Sequence, residues 1–186
     1  MKKLMKGIAF GTLAAAVIFA VLFRFYHAGV FLSLAITAGT VCYHVAVRLL
    51  TGLAYDLFMG NRADPEKPRY EIKPWESALY RKLRVKDWKG GIPTFDPDVF
   101  DPQKHSWDEI AQATCQAERV HETSAVLSFL PMLAGIWFGS IGVFAVTSVI
   151  AAAIDMIFVI VQRYNRPRIV RLAEKKHGSK SGRHVI

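Results

Sequence analysis

"IGVFAVTSVIAAAIDMIFVIVQRYNRPR", residues 141–168, decides the fold class. A helix crossing the hydrocarbon core of a bilayer needs about 20 apolar residues at 1.5 Å of rise each. One charge, Asp155, interrupts the apolar run, and then Gln162, Arg163, Asn165, Arg166 and Arg168 arrive together. A membrane stop signal needs only Lys or Arg in any order, so the amides and the choice of Arg ask for a further reason.

Working outward, three more apolar stretches lie at about 7–23, 29–50 and 123–138, and with 141–161 they make four expected spans. The first has a short basic start, which raises a cleaved signal peptide. Its run is long for one and "FRFYHAG" is a poor cleavage site, so an uncleaved span is expected. The second can continue to Phe58. The third is short and carries Pro131, whose freed carbonyl a neighbouring helix has to satisfy. "GSIG", residues 139–142, reads as a tight turn joining the last two into a hairpin. The expected fold is all-α: one integral membrane domain over 1–186, with a helical loop subdomain at 59–122.

The chain has 186 residues, 52% of them hydrophobic, and a formal charge of +9. The loop is nearly balanced, so the basic excess sits at the two ends. That pattern suggests an anionic phospholipid surface as partner, with no nucleic acid. The N-terminus, the loop and the tail hold 22 of the 24 basic residues, which puts all three on the cytoplasmic side of a plasma membrane. Cys42 falls in a span and Cys115 in the loop, so no structural disulfide is expected. No zinc spacing, Walker loop or GxGxxG occurs, and no metal or cofactor is expected. The closing "SKSGRHVI" reads as a basic tail without chemistry.

The loop is no spacer, because Trp75, Trp88, Trp107, Phe95 and Phe100 are residues that disordered segments lack. "PWESALYRKLRVKDWKGG" places Trp75, Leu79, Leu83 and Val85 on one side of a helix, with cations opposite. That is the pattern of a helix lying in the headgroup layer; a soluble packed helix has the same moment. "IPTFDPDVFDPQ" reads as extended or turned loop. "SWDEIAQATCQAERVHETS" opens with a Ser cap and an acidic first turn and runs as a helix into the third span.

Four polar clusters meet at the same boundary: His44 with Arg48, Trp88 with Lys89, Glu118 with His121 and Glu122, and Gln162 to Arg168. Glu118 and His121 share a helix face, and a carboxylate beside an imidazole is the arrangement of a general base. Solvated residues on an interfacial helix fit the same spacing. A di-metal bundle needs a second E-x-x-H, and the chain has none. His44 and Arg48 also share a face, with Asp155 their natural counter-ion. Such groups serve either as a structural ion pair or as the lining of a polar cavity. Pro167 disfavours helix at Arg166, so the last span is expected to end or bend there. Arg163, Arg166 and Arg168 offer planar donors for carboxylate or phosphate, and Gln162 and Asn165 add amides.

"WK" at 88–89, "AERVH" at 117–121 and above all "QRYNRPR" at 162–168 resemble the glycosyl-4,4'-diaponeurosporenoate acyltransferase family, over roughly residues 75–172. The chain departs from that family's pattern at Gln116, often basic there, and at Glu122, commonly aromatic. The resemblance implies an O-acyltransferase of carotenoid glycolipid synthesis, moving a fatty acyl group onto a lipid-linked sugar or isoprenoid glycoside. The acyl donor, acyl-CoA or a similar thioester, is a co-substrate. Matching positions are Trp88, Lys89, Glu118, His121, Gln162, Arg163, Tyr164, Asn165, Arg166, Pro167 and Arg168. The expected mechanism has His121, oriented by Glu118, deprotonate the acceptor hydroxyl, with His44 as the reserve base. Arg163 or Arg166 stabilises the oxyanion. Lys89 and Arg168 reach donor phosphates, and Arg48 lines the substrate cavity. No Ser or Cys stands beside a base, which favours direct transfer. The rival readings are a methyl- or phosphotransferase using the same basic rim, and a non-enzymatic scaffold holding anionic lipid.

Overall fold

The computed structural model describes residues 1–139 and 141–181, with side chains as far as residue 177. It is helical throughout, with no strand among the described residues. Helix α1 (Lys2–Tyr26) turns into α2 (Gly29–Met59) through His27, which adopts the left-handed conformation at φ 51°. These two and α7 (Ile141–Ser181) are long and apolar enough to cross a membrane. The chain is a membrane protein with three such helices rather than the four expected.

The missing span is broken at Pro131. Helix α5 (Trp107–Leu127) ends four residues before it, and α6 (Pro131–Phe138) has only 8 residues, about 12 Å of rise. Proline has no N–H for the carbonyl one turn back, which belongs to Leu127. That oxygen accepts from Leu130 N–H at 3.1 Å and from the Tyr43 hydroxyl of α2 at 2.7 Å. Helix α6 then closes on Gly139 at φ 72°, with Ser140 of the expected turn outside the described residues. Gly135 is required here. A Cβ at that position lies 2.9 Å from Ile141 Cα, so any larger residue separates α6 from α7.

Helix α7 does not end at Pro167, one of the two outcomes expected there, but continues through it as far as Ser181. The backbone preference of a pre-proline residue is outweighed because Arg166 is held in place by four tertiary hydrogen bonds. The expected tail "SKSGRHVI" therefore begins inside this helix, while residues 182–186 lie outside the described ones.

One stripe of α7 is buried: Phe144, Ser148, Ala152, Asp155, Val159, Arg163, Arg166 and Ala173, at helical spacing. It changes from apolar to charged along its length and packs on α5, which presents Thr114, Glu118, Ser124, Ala125 and Ser128. Small residues at Ser124 and Ser128 let the backbones approach. Helix α2 joins through Thr51 Oγ1 to Ser124 Oγ at 2.8 Å and Tyr55 Oη to Thr123 Oγ1 at 2.9 Å. Helix α1 packs along α2, reaches the loop through Lys2 Nζ to Asp96 at 3.3 Å, and buries no residue.

The loop after α2 folds back on this core through α3 (Pro74–Lys82) and α4 (Val85–Trp88). Trp75, Leu79 and Leu83 are exposed along one side of α3, while Glu76 and Tyr80 turn inward. Val85 leaves the expected apolar stripe, because α3 stops at Lys82 and Val85 enters the interior with no exposed surface. Helix α5 starts as expected: Ser106 Oγ accepts from Glu109 N–H at 3.2 Å and Glu109 Oε2 accepts from Ser106 N–H at 2.7 Å. Such a cap contributes about 1 kcal/mol.

Candidate functional site

Two buried carboxylates, one on α5 and one on α7, organise the polar side chains. Glu118 is fully buried between Arg163 and Arg166. All five N–H groups of Arg163 are spent on protein. Nε and Nη2 grip Glu76 in a fork at 2.7 and 2.9 Å, Nη1 donates to Glu118 Oε1 at 2.7 Å, and the rest reach the carbonyls of Arg69 (3.1 Å) and Glu71 (2.8 Å). Arg166 donates to Glu118, to the Thr114 hydroxyl at 3.0 Å and carbonyl at 3.1 Å, and to Tyr70 O at 3.4 Å, with its guanidinium over the Tyr70 ring. Burial works to raise the Glu76 carboxyl, but Arg163 and the Lys73 N–H outweigh it and hold it below the ordinary carboxylate range. Tyr80, which donates to Glu76 at 3.2 Å, is pushed up to about 12, mainly by burial.

This arrangement corrects two expectations. Glu118 does not orient His121, because both of its oxygens are taken by guanidinium groups. Arg163 has no donor left for an oxyanion, and Arg166 is only 2% exposed. Residues that look like a substrate clamp in sequence are a closed staple between α5, α7 and the loop.

The second carboxylate is Asp155, about two turns before Arg163 on α7 and also fully buried. Arg48 Nε donates to Asp155 Oδ1 at 3.0 Å and Arg48 Nη2 lies 2.7 Å from Oδ2. Arg48 Nη1 and Nη2 also donate to the carbonyls of His44 (2.7 Å) and Ala151 (2.9 Å). His121 Nδ1 stands 3.0 Å from Asp155 Oδ1, and the ring stacks on Phe158 at 4.6 Å. A carboxylate only accepts, so Nδ1 carries the hydrogen and the lone pair is on Nε2. Nε2 makes no hydrogen bond among the described residues, and the side chain is 20% exposed. That is the geometry a general base requires, an imidazole held by a carboxylate at one nitrogen with the other free of protein partners among the described residues. His44 is 8% exposed, with neither ring nitrogen partnered among the described residues.

The other expected site residues fall elsewhere. Lys89 Nζ donates to Asn165 Oδ1 at 2.6 Å and lies 5.3 Å from the Tyr164 ring centre. Lys89, Tyr164, Asn165 and Arg168 line a cavity of about 610 Å³ between α3, α4 and α7. Trp88 Nε1 donates to the Leu83 carbonyl at 2.9 Å, bracing the turn that carries Lys89. Gln162 is half-buried with no hydrogen bond among the described residues. The two departures from the family pattern have local partners. Gln116 takes Asn61 N–H at 2.7 Å and donates to Asp56 at 2.5 Å, fixing the end of α2, and Glu122 pairs with Arg69 and Arg119.

Sequence reading missed Glu76, whose bond to the Lys73 N–H marks it as an ordinary first-turn capping acid. It also missed Asp155 as the partner of His121, although a lone acid in an apolar span was a signal of a specific partner. Cys115 is free and buried, and burial pushes its thiol up to about 11, so it is no nucleophile.

Comparison with curated proteins and with solved structures gives no match. Residues 66–175, more than half of the chain, match the family described as glycosyl-4,4'-diaponeurosporenoate acyltransferase, a stretch that takes in α3 to α5 and both buried carboxylates, Glu118 and Asp155, but not Arg48. The chain belongs to that acyltransferase family.

Proposed function

We propose that the protein transfers a fatty acyl group from an acyl thioester to a hydroxyl of a lipid-linked sugar or isoprenoid glycoside, at the cytoplasmic face of the cell membrane. The observation that carries this reading is the Asp155–His121 pair with a free Nε2, inside a chain whose family name denotes acyl transfer. His121 Nε2 takes the acceptor's O–H proton, and the oxygen attacks the thioester carbonyl. A C–O bond forms, the C–S bond breaks, and the leaving thiolate takes the proton from His121. Asp155 holds the imidazole in the required tautomer, with its own charge balanced by Arg48. His44 is the reserve base. The high Cys115 thiol supports direct transfer without an acyl-enzyme. The cytoplasmic orientation rests on 22 of the 24 basic residues lying in the N-terminus, the loop and the tail. The exposed Trp75, Leu79 and Leu83 fit a loop resting on anionic phospholipid headgroups.

The test uses purified protein in nanodiscs with a labelled acyl thioester and a glycolipid acceptor. His121→Ala should lower the transfer rate by about 10² to 10⁴-fold, the usual share of a general base, with little change in thermal midpoint. Undiminished transfer by a folded His121→Ala protein overturns the assignment. Transfer from S-adenosylmethionine or a phosphoryl donor instead would support the rival transferase readings.

A further inference from the structure

The cavity between α3, α4 and α7 has a composition that the fold itself does not require. Arg81, Arg84, Lys86, Lys89, Arg168 and Arg171 all line it, against one acid, Asp87. Among the described residues none of these six cations has a carboxylate within ion-pair distance, although elsewhere Arg163, Arg166, Arg48, Arg69 and Lys104 each do. Like charges gathered without counter-ions repel one another, and a groove that concentrates them raises the local concentration of anions. Its volume, about 610 Å³, lies within the range of small-molecule sites, roughly 300–1,000 Å³.

The walls are built rather than incidental. Arg84 sits at φ 50°, a conformation a non-glycine residue adopts only when its surroundings hold it, and it begins α4 from that position. Arg171 Nε is tied to the Pro167 carbonyl at 3.2 Å, which leaves its two terminal NH₂ groups to project. Lys89 is aimed by Asn165, whose side-chain NH₂ remains a donor. Tyr80 and Tyr164, edge to face at 6.1 Å, form an aromatic floor beside the cations.

We propose that this cavity binds the phosphates of a polyanionic ligand, and that they are the phosphates of the acyl donor. The proposal rests on the acyl-transfer reading for its second half only. Asn165 lies ten residues beyond Asp155 on α7, about 15 Å along the helix axis. A donor whose phosphates occupy the cavity must therefore carry its thioester on a long arm to reach His121. A nucleotide-linked thioester of the coenzyme A type has such an arm. A phospholipid, with its acyl esters close to its phosphate, does not.

Binding is measured on the intact protein in phosphatidylcholine nanodiscs, with coenzyme A, inorganic pyrophosphate and phosphatidylglycerol vesicles as separate probes. Coenzyme A should bind, pyrophosphate should compete with it, and raised salt should weaken both. Arg84→Gly, which also removes the left-handed strain, and Arg168→Gln should each weaken coenzyme A binding by about 10-fold, the loss of one charge-assisted contact. Lys104→Gln, whose residue pairs with Asp98 outside the cavity, should leave binding unchanged. Absence of binding by coenzyme A and pyrophosphate overturns the proposal, as does binding that Arg84→Gly and Arg168→Gln both leave intact. Binding of phosphatidylglycerol alone overturns the donor assignment and makes the cavity a lipid site. Coenzyme A binding without acyl transfer defeats the functional reading and not the cavity. Transfer that depends on His121 without binding at these arginines does the reverse.

Discussion

The Glu118 and Asp155 layers use the same chemistry and come to different ends. Each is a fully buried carboxylate facing arginine from another helix, Glu118 across the α5–α7 contact and Asp155 across to Arg48 of α2. Around Glu118 every acceptor is met by a guanidinium donor, and a second acid, Glu76, takes the fork of Arg163. Around Asp155 one arginine balances the charge and the other partner is an imidazole with one nitrogen unoccupied. A saturated network can only hold helices together, whereas an oriented base with a free lone pair can move a proton. The difference separates a closed layer from an open one within about two turns of α7.

The largest effect should come from breaking the saturated layer. Glu118→Gln leaves the buried Arg166 without its counter-charge and takes one of the two carboxylates from Arg163, and should cost about 3–5 kcal/mol of stability, read by denaturation in detergent micelles. His121→Ala leaves the Asp155–Arg48 pair intact and should lose turnover while keeping most of its stability. If Glu118→Gln unfolds no more readily than the parent and loses only turnover, the two layers have been assigned the wrong way round.

Arg163→Lys asks a finer question of the same contrast. An ammonium has three donors on a single nitrogen and cannot reproduce the fork to Glu76 while also reaching Glu118 and the Arg69 and Glu71 carbonyls. A loss of about 2 kcal/mol is expected, the scale of one or two charge-assisted hydrogen bonds. Arg48→Lys should cost less, because that side chain is partly exposed and a single ion pair to Asp155 survives the change. Equal losses at the two positions would remove the distinction between a closed and an open layer.

The sequence made the spans legible wherever one residue type dominated a long window, as in α1, α2 and the first half of α7. It also marked the start of α5, because Ser106 and Glu109 cap each other locally. It did not show the break at Pro131. Hydropathy runs smoothly across that proline, and the decisive contact is Tyr43 from another helix. The site was half legible for the same reason. Glu118 and His121 are neighbours on one helix face, so local spacing pairs them, but each finds a better partner across the α5–α7 interface. The "QRYNRPR" run correctly flagged a polar centre without revealing that alternate residues face opposite ways. Arg163 and Arg166 point into the core, while Tyr164, Asn165 and Arg168 face the cavity.

The smallest expected effect is a pH dependence confined to the closed layer. The folded Glu76 carboxyl is held below its usual range, so the unfolded chain takes up the proton first as the medium is acidified. The stability Glu76 contributes is therefore complete above the unfolded value, about 4.3, and is lost as pH falls through the lower folded value. Unfolding of the parent in detergent should become easier over that acid window, and Glu76→Gln, which cannot titrate, should show a flatter acid limb from a lower plateau. Parallel acid limbs in the two proteins would mean that Arg163 gains nothing from the Glu76 charge. The fork at 2.7 and 2.9 Å would then be packing geometry rather than an ion pair, and the closed layer would rest on Glu118 alone.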